Sequence, residues 1–168
     1  GPVTDLWNVE LGSFDRDTLF KYKKEGKKLW LYMPTKGEIH MPLTDMRDWA
    51  WKSYALKCDG FCFWSATAMA PGRWEKPHAE NRGSDQLFYS GAPFGKNEPW
   101  PSLRLKAMRR GMYDYEYFWL LEQKKGRAAV TNILEKWYYP QNTNWWETPE
   151  RWDAVRAEVA AAIGTTAR

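Results

Sequence analysis

Histidine and cysteine are scarce in this chain, with two of each among 168 residues. Cys58 and Cys62 have C-x3-C spacing, which matches no zinc pattern, and there is no second pair. His40 and His78 fall in loop-like stretches without a nearby cysteine or a second histidine at ligand spacing, so neither a metal nor a cofactor is expected. Both thiols read as small buried groups, not as a disulfide, which leaves the compartment open. No glycine-rich nucleotide motif is present. No run approaches the ~18 apolar residues of a membrane span. Internal repeats, low-complexity tracts and Asp-Glu dipeptides are all absent. The chain opens on Gly1-Pro2 without Met or a signal peptide. Those two residues read as a protease-cleavage scar, and the natural start stays open.

What the chain does have is aromatic surface. Rings make up 17% of residues, with 12 Trp and 9 Tyr, yet the mean hydropathy is −0.73. Much of the apolar area therefore sits on flat rings with polar tips, which serve equally as core material and as stacking surfaces for sugars or bases. The net charge is +4 and the isoelectric point about 9.0. The densest basic cluster, Lys21, Lys23, Lys24, Lys27 and Lys28, falls at the end of an expected helix, where cations complement the dipole. The remaining charge is scattered, which argues against a nucleic-acid surface.

Short apolar runs alternate with longer amphipathic ones. Strands are expected over Val3–Leu11, Lys28–Met33 and Phe61–Trp64. Between them fall a helix capped by Ser13 or Asp15 and closed by Gly26, and a second capped by Thr44 and ended by Asp59-Gly60. Nearly continuous apolar strands suit a sheet covered on both faces, and the alternation argues for parallel βαβ units. Three such strands leave two open edges, so more strands from an upstream segment, or a second copy, are expected beside them. Residues 66–101 form a loop-rich stretch, of a length that is usually functional, with one short strand at Gln86–Tyr89. Ser102 opens a long helix to Lys125, with a buried stripe of Leu105, Met108, Met112, Tyr115 and Trp119 and an Arg110–Asp114 pair. Helices over Ala128–Tyr138 and Pro149–Ile163 follow, the last capped by Thr148 and buried through Trp152, Val155, Val159 and Ile163.

The run from Ser102 to Tyr117 fits the pattern S-x-R-x-x-x-x-R-x-G-x-x-D-Y-E-Y at every fixed position, through Ser102, Arg104, Arg109, Gly111, Asp114, Tyr115, Glu116 and Tyr117. It resembles the carboxy-terminal signature of proteins related to glycoside hydrolase family 123. Asp5-Leu-Trp7, Trp30-Leu-Tyr32 and Gly60-Phe-Cys-Phe-Trp64 resemble that family's strands, in order. Asp85-Gln-Leu-Phe-Tyr89-Ser-Gly91 is similar to its Asp-Gly-x-x-Tyr-Pro-Gly loop, with Gln86 for Gly and Ser90 for Pro. The likeness spans about residues 3–125, leaving residues 126–168 as a helical extension of the same domain. It implies an α/β fold, the carboxy-terminal part of a (β/α)8 TIM-type barrel with extra helices. A whole barrel takes about 250 residues. The resemblance also implies hydrolysis of an N-acetylhexosamine linkage, with the substrate's acetamido group as nucleophile and an adjacent Asp-Glu pair on an earlier strand. That pair is expected outside this chain.

Glycoside cleavage generally needs two carboxyl groups, held in barrels at the carboxyl ends of strands. The candidates are Glu10, Glu38, Glu75, Glu80 and Asp85, of which Glu10 and Asp85 are singled out, although loop carboxylates are commonly just solvated. Asp5, expected within a strand, reads as a buried polar partner or a ligand to a sugar hydroxyl. Trp7, Tyr32, Trp64 and Tyr89 are the ring candidates for sugar stacking, with packing as the competing role; Trp7 and Trp30 lie mid-strand, where packing is favoured. Arg104, Arg109, Asp114 and Tyr115 read as structural, tying loops together outside the barrel.

Three functions remain. The leading one is part of a glycoside hydrolase that supplies the aromatic side of a sugar site, whose parent protein could be secreted or periplasmic. Another is a non-catalytic carbohydrate-binding or scaffold module. The third, a basic aromatic nucleic-acid binder, fits least.

Overall fold

A computed structural model describes residues 4–10, 15–33, 42–64, 66–67, 86–137 and 148–164. Three parallel strands, β1 (Leu6–Glu10), β2 (Lys28–Met33) and β3 (Gly60–Phe63), lie in the order β1-β2-β3. Their register pairs Asn8 with Trp30 and Glu10 with Tyr32, then Trp30 with Gly60 and Tyr32 with Cys62. The connections are helices α1 (Arg16–Lys24) and α2 (Leu43–Ala55). This is the expected α/β pattern.

Asp15 rather than Ser13 is the cap of α1: its carboxylate accepts from the Thr18 backbone N–H at 2.8 Å. Gly26 closes the turn with φ +79°, a conformation glycine adopts without steric cost. Thr44 is not the cap of α2. That helix starts one residue earlier, with Pro42 at the cap position and no side-chain cap bond. It also ends before Asp59-Gly60, at Ala55, with Lys57 at φ +56° in the turn to β3.

Both helices cover one face of the sheet. Leu19 of α1 with Met46 and Trp49 of α2 pack on Val9, Leu29 and Leu31 in one buried cluster, with Trp7, Phe61 and Phe63 partly buried against it. The strands were expected to be covered on both faces, but no described residue covers the other one. Along β2 the pattern alternates, Leu29 and Leu31 buried and Trp30 37% exposed. Leu6, Asn8 and Glu10 of β1 share that open face through the register.

The stretch before the third long helix carries a hairpin rather than one strand: β4 (Phe88–Ser90) pairs antiparallel with β5 (Pro99–Pro101) around a 3₁₀ turn at Ala92–Phe94. Prolines flank Trp100 in β5, and a residue without an N–H is an unpromising strand former, which conceals the second strand in the sequence. Helix α3 (Leu103–Lys125) follows, with Ser102 accepting from the Leu105 N–H at 3.2 Å. Helices α4 (Arg127–Trp137) and α5 (Pro149–Gly164) follow.

A second buried cluster joins Trp51 and Tyr54 of α2 to Phe118 and Leu121 of α3, Val130, Ile133 and Leu134 of α4, and Trp152, Val155 and Val159 of α5. Helix α2 therefore lies between the sheet and the helical layer, and every residue from Asp45 to Tyr54 is buried. The expected stripe on α3 is rotated. Arg104, Met108, Gly111, Asp114, Phe118 and Leu121 face inward, while Met112 and Trp119 are 50% and 46% exposed. Charged residues normally mark the outer face, but Arg104 and Asp114 are buried with partners, and they turn the helix accordingly.

Candidate functional site

The open face of the sheet gathers the ring-bearing candidates. Tyr32 and Trp64 meet edge to face, ring centroids 6.4 Å apart and planes at 78°. Trp64, just beyond β3, is 62% exposed. One rung below, the Trp30 indole lies over Gly60: a Cβ at that position would come within 2.9 Å of the ring. Glycine is thus required there for close approach. Glu10 stands across from Tyr32 in register and is exposed. Three aromatic rings and one carboxylate thus line a surface whose carboxyl-end rim is Glu10, Tyr32 and Trp64.

The hairpin joins this rim. The Phe88 N–H donates to the Ala66 carbonyl at 3.0 Å, which holds β4 beside the residues that follow Trp64. Phe88 packs against the core. Tyr89 pairs with Trp100 across the hairpin, and its hydroxyl accepts from the Arg104 guanidinium. A cavity of about 410 Å³ opens here, lined by Thr67, Tyr89, Ser90, Lys96, Asn97 and Glu98 among others. That volume is within the roughly 300–1,000 Å³ of small-ligand clefts.

Two candidates lie elsewhere. Trp7 is on the helix-covered face, stacked on Tyr22 of α1 at 4.6 Å and 13°, because its position in β1 alternates with those of Leu6 and Asn8. Asp5 is not inside a strand. It precedes β1, at the amino end of the sheet, where its exposed carboxylate meets Lys27 at 3.1 Å. Parallel strands share one polarity, so that end is opposite the rim. Glu38, Glu75, Glu80, Asp85, His40 and His78 lie outside the described residues. Among the described residues no three His, Cys, Asp or Glu side chains cluster as metal ligands, and no helix is long and apolar enough to cross a membrane.

The signature helix α3 acts as a docking element. Gly111 lets α3 reach the backbone of α2 at Arg47, whose carbonyl a Cβ there would strike. Asp114 is wholly buried and accepts from Arg47 Nε at 2.5 Å, Trp51 Nε1 at 2.9 Å and Arg156 at 3.2 Å. The expected Arg110–Asp114 pair does not form; Arg110 instead meets Asp153 of α5 at 3.2 Å. Tyr115 packs edge to face on Tyr54, centroids 5.5 Å apart. Burial of its phenol, first, and the Glu122 carboxylate hydrogen-bonded to it, second, push Tyr54 above its ordinary pKa. Arg109 is exposed and stands apart from this network. Apart from Arg104, which holds the hairpin, the network ties helices to one another rather than loops.

A second cavity of about 200 Å³ lies toward the amino ends of the strands, between Cys58, Asp59, Gly60, Phe61, Tyr115 and Glu116. Both cysteines are free, Cys58 buried and Cys62 half-buried. Burial pushes the Cys58 thiol up to about 12.

The sequence favours packing for Trp30, which the structure places on the open face, and shows no strand at Trp100. The signal for Trp30 was present: it stands two residues before Tyr32, and residues two apart in a strand share a face. Trp100 gave no such signal, since only the pairing with Tyr89 places it.

No family model and no curated protein matches the chain. Among solved structures, it is similar to a family 123 glycoside hydrolase from Clostridium perfringens, a protein described in connection with glycolipid glycan hydrolysis. The superposition has a TM-score of 0.66 at 15% identity and covers 95% of this chain but 31% of the other. The chain thus spans about a third of that hydrolase's length, and what the two share at this identity is a fold.

Proposed function

We propose that this chain forms the carboxy-terminal strands and helices of a glycoside-hydrolase-type (β/α) barrel and supplies the aromatic side of its sugar site. The observation that carries the reading is the open sheet face, where Trp30, Tyr32 and Trp64 stand on two successive rungs beside Glu10. A pyranose has an apolar face of axial C–H groups that aromatic rings cover well. The fold likeness to a glycan-hydrolysing protein and the Ser102–Tyr117 signature support the same assignment, with an N-acetylhexosamine-containing glycan as the substrate class. Exposed Met112 and Trp119 on α3, with Leu6 and Trp30 on the sheet, suit a surface that further strands and helices cover. Those elements come from an upstream part of the same barrel or from a second copy.

Among the described residues of the open face, Glu10 is the one carboxylate. A retaining or inverting pair needs a second acid, which this reading assigns to the upstream part of the barrel. The same observation favours a second reading, a non-catalytic carbohydrate-binding or scaffold module.

Titration of the full chain with N,N′-diacetylchitobiose, followed by tryptophan fluorescence, tests the shared core of both. A saturable change that Trp64→Ala or Tyr32→Ala weakens, and that persists in high salt, is the expected result. Saccharide-independent fluorescence would count against both readings. A response that salt abolishes points to a polyanion instead. Assay of a complete barrel on the same sugar separates them, since only the hydrolase reading predicts turnover, reduced by Trp64→Ala through lost substrate binding.

A further inference from the structure

The hairpin carries a pair of rings that neither core absorbs. Phe94 and Trp100 stack with centroids 4.9 Å apart and planes within 9° of parallel. Phe94 is 51% exposed, and neither ring belongs to the cluster under the sheet or to the cluster among the helices. Exposed rings are common singly; a parallel pair held at a loop tip is less so.

The tip is built to be stiff. Gly91 donates to the Glu98 carbonyl at 3.2 Å, and its own carbonyl accepts from Phe94 at 2.9 Å and Lys96 at 3.0 Å. A Cβ at Gly91 would meet the Glu98 carbonyl oxygen at 2.5 Å, so only glycine fits. Gly95, at φ +68°, closes the 3₁₀ turn. Underneath, Arg104 fixes the Tyr89 hydroxyl across from Trp100. The platform is therefore pre-organised, which lowers the ordering cost of binding.

The same loop carries polar groups. Lys96, Asn97 and Glu98 sit between Phe94 and Trp100 in the chain and line the 410 Å³ cavity with Thr67 and Tyr89. An exposed ring stack on a loop whose amine, amide and carboxylate line the neighbouring cavity offers both groups a pyranose needs: rings for its C–H face and polar groups for its hydroxyls.

We propose that the Phe94–Trp100 stack is a second saccharide subsite, distinct from the Tyr32–Trp64 rim, that takes the apolar face of a further sugar unit of the same glycan. This rests on the glycan reading above and adds to it a requirement for at least two linked sugars. The hydrogen bond from Phe88 to Ala66 places the hairpin alongside the rim, so one oligosaccharide can meet both.

The test is saturation-transfer difference NMR on the full chain with N-acetylglucosamine, N,N′-diacetylchitobiose and N,N′,N″,N‴-tetraacetylchitotetraose. Affinity is expected to rise with chain length. Phe94→Ala is expected to weaken tetrasaccharide binding by about three- to tenfold, the scale of one lost aromatic contact, while sparing the monosaccharide signal. Phe94 is outside both cores, so the melting temperature should hold; Trp100→Leu serves as a second variant with the same expected direction. Tetrasaccharide affinity unchanged in both variants, with Trp64→Ala still abolishing it, overturns the subsite and leaves the glycan reading standing. No transfer to any of the three sugars in the unmodified chain overturns both.

Discussion

Arg47 of α2 and Asp114 of α3 form a buried ion pair, Nε to Oδ2 at 2.5 Å, with the Arg47 side chain 8% and the Asp114 side chain 0% accessible. Around it, Trp51 donates to the same carboxylate and Arg156 to its other oxygen. The Arg47 guanidinium also reaches Asp153 at 2.8 Å and lies 5.8 Å from the centre of the Trp152 ring. One carboxylate thus joins α2, α3 and α5. Such a group resists removal of one partner far more than replacement of the set, because the survivor is left charged and dry.

Asp114→Asn is therefore expected to destabilise the fold by about 3–5 kcal/mol. The amide can still accept from Trp51 but cannot compensate Arg47. Urea unfolding followed by far-UV circular dichroism measures it, and a loss below about 1 kcal/mol would mean the carboxylate is not the hub described.

Gly111→Ala should cost about 1–3 kcal/mol, the scale of overpacking, because the added methyl meets the Arg47 backbone rather than a movable side chain. Gly164→Ala, where a Cβ meets nothing within 4 Å, is the control. It should be neutral or slightly stabilising, since alanine is the better helix former. Equal effects of the two substitutions would remove close helix approach as the reason for glycine.

Acid should unfold the protein through Asp59 and Asp153. Burial by itself would raise both carboxyls. At Asp59, hydrogen bonds from Lys23 and the Leu29 backbone outweigh it, and at Asp153 those from Arg47 and Arg110 do. Both are held below the ordinary value of 3.8. A carboxyl lowered by folding binds fewer protons in the native state, so its stabilisation is complete above the unfolded value and is lost as pH falls through the folded one. The urea midpoint should hold from pH 6 to about 5 and drop below about pH 4. Asp153→Asn should shrink that drop, and an unchanged acid limb in this variant would exclude Asp153 as a contributor.

The two thiols should differ in reactivity. Cys62 is half-buried on the open face, whereas Cys58 is buried and its thiol is pushed up to about 12. Since the thiolate is the nucleophile, iodoacetamide at pH 8 should modify Cys62 first and Cys58 only on unfolding. Peptide mass spectrometry reads the order; prompt alkylation of Cys58 in the native chain would contradict its burial.

Local grammar was largely legible in the residues. The alternation of apolar runs with amphipathic ones foretold three parallel strands and their helices, Asp15 and Ser102 were readable as caps, and Pro149 opened the last helix as expected. Each of these rests on contacts between neighbours a few residues apart, which the sequence contains. The open face was not legible: apolar strands looked covered on both sides, and although alternation puts Trp30 and Tyr32 on one face and packing was favoured for Trp7, only the register set Glu10 beside Tyr32. The inner face of α3 was likewise decided by partners far along the chain. Arg47 and Arg156 lie 67 and 42 residues from Asp114. Periodicity assigns a charge to solvent unless something distant compensates it, and compensation across such separations exists only once the helices have met.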